Sequence, residues 1–237
     1  MCVLLVILLL LGLGVFWIEA RHRLRPTSPL QLRQLDWNVQ VQGKDLELEG
    51  WIEISNPPPR MEVMVPEIQV NPVLIGSSDL SDVTVRTRIT PHHPDEDTRA
   101  DGYWPAYIVK GRKSTRIQVS VILSDQTGAA IADRVDTLWM DVNWVNYGPF
   151  GRLARRQGVV VPLRRPAVVQ PAEVEFRSGE SCRVLPLKTH LLGPLDNTIE
   201  VLRDYAGELV QPGDILTIGE TPVAVIQGRY THPSMVE

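Results

Sequence analysis

"LELEGWIEISNPPPR", Leu46 to Arg60, decides how this chain is read. Leu46, Leu48, Ile52 and Ile54 fall on one face of an extended backbone, and Glu47, Glu49 and Glu53 fall on the other. Successive side chains of a strand point to opposite sides, so this alternation marks a half-buried β-strand. The run "NPPPR" ends it, because proline has no N–H to offer a neighbouring strand.

The period of two continues on both sides. Upstream, Leu35, Trp37, Val39 and Val41 of "LDWNVQV" alternate with polar residues. Downstream come "MEVMV", "EIQV", "DVTVRTRI", "RIQVSVIL" and "LWMDVNWV", separated by the turn-like clusters "GSSDLSD", "PHHPDED" and "SDQTG". Six or seven short strands with few helical patterns predict an antiparallel β-sandwich over residues 35–165. Within "PHHPDED", His92, His93, Asp95, Glu96 and Asp97 hold metal-binding chemistry. Adjacent histidines in extended backbone diverge, however, and the flanking prolines favour a solvated loop.

Ahead of the sandwich, Cys2 to Ile18 is seventeen residues without a charge. That is at the short end of the roughly 17–25 residues that cross a bilayer. No Lys or Arg precedes the run and no small-x-small site follows it, which argues against a cleaved signal peptide. Trp17 is placed at interface depth, with Arg21, Arg23 and Arg25 after it, and positive charge prefers the cytoplasmic side. The expectation is a single-pass transmembrane anchor at 1–20 in contact with membrane lipid, a basic and proline-containing connector at 21–34, and the remaining chain in the cytoplasm.

The net charge of -4, without a basic stripe, gives no reason to expect nucleic acid as a partner. Two cysteines, Cys2 and Cys182, make no disulfide framework, and Cys182 has no nucleophile motif around it. Arg152, Arg155, Arg156, Arg164 and Arg165 flank "GVVVPL" and read as a last strand with a solvated linker, rather than a lipid-binding patch. The linker is placed at 166–180.

Beyond it the pattern changes. In "PLDNTIEVLRDYAGELVQPGD", Ile199, Leu202, Ala206 and Leu209 recur at helical spacing. Asn197 and Glu200 have the spacing of a capping box. "ILTI" then reads as a short buried strand, giving a strand–helix–strand unit. The fold class is thus mainly β: a transmembrane helix, an antiparallel β-sandwich, and a small, incomplete α/β unit at 181–237.

Two resemblances attach to these residues. "LEGWIEISNPPPRMEVMVPEI" resembles one strand pair of late-embryogenesis-abundant sandwich modules, which implies a non-catalytic module near a membrane. "LKTHLLGPLDNTIEVL" followed by "LVQPGDILTIGETPVAVIQGRY" resembles the start of the coenzyme F420-0:L-glutamate ligase family. Leu191, Leu192, Asp196 and Asn197 match its first element, Gly213, Asp214 and Ile215 its second, and Gln227, Gly228 and Arg229 its third.

That resemblance implies GTP-dependent addition of L-glutamate to a deazaflavin coenzyme precursor, with GTP and a divalent metal, Mg or Mn, as cofactors. It places Glu220, Thr221 and Arg229 on the nucleotide side. Val225 stands where the family has lysine, Gln227 stands where it has glutamate, and the family's metal-binding acids lie further downstream than this sequence runs. The expectation is a truncated, membrane-anchored relative of the ligase that is inactive by itself, with no catalytic or metal residues of its own. The other reading is a non-enzymatic, membrane-tethered scaffold whose sandwich or C-terminal unit meets a protein partner.

Overall fold

The computed structural model describes residues 2–23, 28–77, 79–98, 101–125, 131–171, 174–179 and 182–230, with side chains of the first helix described at 6–20. Arg25, the side chains of Arg21 and Arg23, residues 126–128 of the "SDQTG" turn, and the closing stretch 231–237 lie outside the described residues.

In chain order the elements are α1 (Cys2–Arg23), β1 (Gln31–Gln42), β2 (Asp45–Ser55), β3 (Val63–Val65), β4 (Ile68–Gly76), β5 (Val83–His92), β6 (Tyr107–Val109), β7 (Ser114–Asp125), β8 (Val135–Gly148) and β9 (Gly151–Pro162). A small hairpin follows, β10 (Arg177–Ser178) and β11 (Arg183–Val184), and then α2 (Thr198–Ala206) and α3 (Glu220–Ile226). The first sheet has the order β1-β2-β7-β5. The second has β8 in its interior, paired with β9 and with β4 and β3, and β6 closes beyond β3. Every pairing in the two sheets is antiparallel.

The opening stretch lies at the heart of this arrangement. Leu46, Leu48, Ile52 and Ile54 stand opposite Leu123, Val121, Ile117 and Thr115 of β7. All eight are buried. From the other sheet Val63, Val65, Val109, Leu138, Met140 and Val142 meet them, each fully buried. A core side chain of this kind contributes about 1.5–3 kcal/mol by leaving water. Gly50 interrupts the inner row of β2 because Trp37 lies over it, and a Cβ there would come within 2.0 Å of the indole.

Where the strand stops, Asn56 takes over. Its Nδ2 donates to the carbonyls of Met61 (2.6 Å) and Val109 (2.8 Å), while its backbone N–H donates to Lys113 O (2.9 Å). The prolines forbid further pairing, and this asparagine ties the end of one sheet to the start of the other.

Several expectations change. The sandwich begins at Gln31 and not at 35, so the last residues of the expected connector are already strand. A bulge between Gln34 and Trp37 switches the inward parity of β1, so Leu32 and Gln34 face inward before it and Trp37 after it. The last strand is longer than "GVVVPL": it starts at Gly151 and pairs with β8 from Gly148 back to Thr137.

α1 forms as a helix, but among the described residues no helix is long and apolar enough to cross a membrane.

The strand–helix–strand expectation also fails. Residues 214–219 are irregular, with Ile215 90% exposed, and Glu220–Ile226 is helical. Among the described residues no neighbouring strand meets 215–218, and an isolated strand leaves its N–H and C=O groups without partners. In α3, Gly219 is the N-cap, so Pro222 falls within the first turn, where its missing N–H costs nothing.

Candidate functional site

The C-terminal unit is held by a buried polar network. His190 Nδ1 lies 2.8 Å from the Tyr205 hydroxyl and its Nε2 lies 2.9 Å from Asp196 Oδ1. The second oxygen of Asp196 accepts the N–H of Gly193 at 2.7 Å. The imidazole is 1% exposed, so it orients the loop before α2 and cannot reach a ligand. Asn197 caps α2, its side-chain oxygen accepting from the N–H groups of Ile199 (2.9 Å) and Glu200 (3.4 Å). The buried stripe is Val201, Tyr205 and Ala206, with Leu192 and Ile226 against it. The expected face differs: Ala206 belongs to it, but Ile199 is 63% exposed. Spacing alone did not reveal the histidine network, because its three members lie six and fifteen residues apart with no motif between them.

"QPGD" forms a turn. Asp214 N–H donates to Gln211 O and Asp214 Oδ2 accepts Gln211 N–H at 2.8 Å. Gly213 takes φ 99, a conformation that L side chains rarely adopt. "QGR" ends α3. Gly228 (φ 67) donates to Val225 O and Arg229 N–H donates to Ala224 O, the paired bonds of a Schellman motif. Tyr230 then reaches the sandwich, its hydroxyl donating to Gly158 O at 2.7 Å. Burial raises its pKa.

The predicted nucleotide-side residues divide between the two ends of this helix. Glu220 and Thr221 open α3, and Arg229 follows its last turn. Along a seven-residue helix that is a separation of about 9 Å. All three are exposed, with half-buried Val225 and exposed Gln227 between Thr221 and Arg229 in the chain. Among the described residues no three His, Cys, Asp or Glu side chains are grouped to hold a metal ion. Among the described residues, Glu220, Thr221 and Arg229 as placed here do not fit a metal-bound triphosphate.

The histidines of "PHHPDED" are not in a solvated loop. His93 is buried, stacked on Tyr107 with ring centroids 3.9 Å apart, edge-on to Trp104, and 2.8 Å from Thr115 Oγ1 through Nδ1. Burial pulls its pKa down. The Tyr107 hydroxyl donates to Asp95 at 2.7 Å, which holds that carboxyl below its ordinary range, while burial and then this bond push the phenol up. The cluster closes one end of the sandwich. The basic residues are also engaged: Arg152 with Glu67, Arg156 with Asp141, Arg164 with Asp136 and Arg165 with Asp204. Ion pairs of this kind argue against a free lipid-binding patch.

Fold and site together define the class: a two-sheet β-sandwich with a small helical appendage, and no assembled reaction centre among the described residues. Residues 31–165 match the family described as the F420-0:gamma-glutamyl ligase N-terminal Ig-like domain. The chain belongs to that family. The match lies on the sandwich, whereas the motifs that suggested the family lie between 187 and 230.

Among solved structures, the yeast GGA1 GAE domain is 9% identical over 59% of this chain and 96% of that one, with a TM-score of 0.32. The GAE domain of GGA2p from Saccharomyces cerevisiae is 5% identical over 58% and 95%, with a TM-score of 0.33. The PapD-like domain 7 of human CEP192 is 10% identical over 58% and 86%, with a TM-score of 0.29. No curated protein matches the chain.

Proposed function

We propose that this chain is a membrane-tethered member of the ligase family whose sandwich is a non-catalytic spacing and docking module, and that the chain by itself does not ligate glutamate. The observation carrying this reading is the interior of the sandwich. Among the described residues it is filled by a continuous cluster of buried Val, Ile, Leu and Met side chains. The tether is α1, whose residues 6–18 carry large apolar side chains exposed on every side. Apolar surface of this extent associates with lipid or protein rather than water.

Two experiments test the reading. The full chain in detergent is mixed with GTP, Mg2+ or Mn2+, L-glutamate and the deazaflavin precursor. We expect neither GTP hydrolysis nor a γ-glutamyl amide, and metal-dependent ligation would overturn the non-catalytic assignment. In a flotation assay with phospholipid vesicles, the full chain rises with the lipid and residues 28–237 do not. Equal behaviour of the two would remove the tether from the proposal.

A further inference from the structure

We propose that the outer edge of β1, residues Trp37–Gln42, is a self-association surface at which a second copy of this chain pairs antiparallel about Gln40. The proposal rests on the sandwich edge and is independent of ligase chemistry. An edge strand offers a row of free N–H and C=O groups, and proteins normally block it with charge, proline or short length. The other edges among the described residues are blocked in these ways. β5 carries Arg86, Arg88 and Pro91, β4 carries Pro72, and β6 is three residues long. β9 carries Arg152, Arg155 and Arg156, and the Gln34 side chain both donates to Val160 O (2.7 Å) and accepts from Val160 N–H (3.2 Å).

Residues Trp37–Gln42 have no charge and no proline, and the β1 bulge lies ahead of them. No strand among the described residues pairs with their outer side. Their inward face is also uncovered. Val39 stands opposite Leu48, yet it is 41% exposed where Leu48 is 0%. Val41 stands opposite Leu46 at 68% against 3%. The apolar face of the sheet therefore runs past its own last covered row.

The sequence suits a two-fold partner. With Gln40 on the axis, Val39 of one copy faces Val41 of the other, and Asn38 faces Gln42, so apolar meets apolar and amide meets amide. Further out, Asp36 meets Lys44 of the hairpin tip, twice by symmetry. An axis on Val39 would instead set Asp36 against Gln42, so charge complementarity selects Gln40. The arrangement is isologous and closes as a dimer, making one continuous sheet across both copies.

The test uses the full chain in detergent with Cys2→Ser and Cys182→Ser as background. Strands paired at Gln40 bring its two Cα atoms to about 4.5–5.5 Å, within disulfide range. A Gln40→Cys variant should therefore form a disulfide-linked dimer under mild oxidation, while Arg86→Cys on the opposite edge should not. In sedimentation velocity the unsubstituted chain should run as a dimer and Val41→Lys as a monomer with unchanged circular dichroism. A monomer at every concentration, dimerisation that survives Val41→Lys, or cross-linking at Gln40→Cys no greater than at Arg86→Cys would each overturn the proposal.

Discussion

Asn56 carries more of the fold than its place beside three prolines suggests. It is 1% exposed, and its amide donates to the carbonyls of Met61 and Val109. Asn56→Ala removes both of these buried bonds and should cost about 1–3 kcal/mol, read as a lowered urea midpoint with an unchanged slope. His93 predicts a pH dependence. Burial, the largest influence, and neighbouring His92 hold its pKa below 6.5, against opposing pulls from Glu96 and Asp95. The unfolded chain then binds a proton that the folded chain refuses, so stability rises with pH in this window and falls as pH drops below 6.5. Thermal melts of the natural chain should show this loss, and His93→Phe, which keeps a ring against Tyr107, should flatten it. A separate loss begins below 3.8, where Asp95 and Asp82, both held low in the fold, take up protons. Asn56 and His93 were visible in the sequence as residues, but their roles were not. Their partners come from loops and strands 5 to 53 residues away.

At the scale of elements, the strands were legible because alternation is a local property. β2, β5, β7 and β8 fall where the alternating runs lie. The start of β1 was misjudged because its bulge reverses the parity, and parity was the only signal. α2 was legible through its cap. Asn197→Ala should lower stability of the C-terminal unit by about 1 kcal/mol, seen as faster amide exchange in α2 with sandwich exchange unchanged. The segment 215–226 was not legible. "ILTI" and "PVAVI" have β-favouring composition, yet a strand exists only where another strand accepts its hydrogen bonds. With none available among the described residues, the first stretch is irregular and the second, opened by Gly219 and closed by Gly228, is helical.

At the scale of the molecule, two apolar clusters of very different size stand side by side. One fills the sandwich, and the other consists of Leu192, Val201 and Tyr205 with Ile226 against them. The smaller unit touches the larger through Tyr230 on Gly158, Gly193 beside Val160, and Arg165 with Asp204. Local opening follows buried apolar contact, so amides of 215–218 should exchange far faster than those of 117–123. Equal protection would mean that the C-terminal unit packs as firmly as the core. The sequence by itself determined the β class, the main strands, the α2 cap and the family, because alternation, capping residues and short motifs act over a few neighbours. Only the tertiary structure decided that His93 of "PHHPDED" is buried, that Arg152 and Arg156 of β9 are ion-paired, that Glu220 and Thr221 stand apart from Arg229, and that one edge of β1 is open. Each of these depends on which distant segment comes alongside, and hydrophobic collapse between two sheets sets that for the whole chain at once.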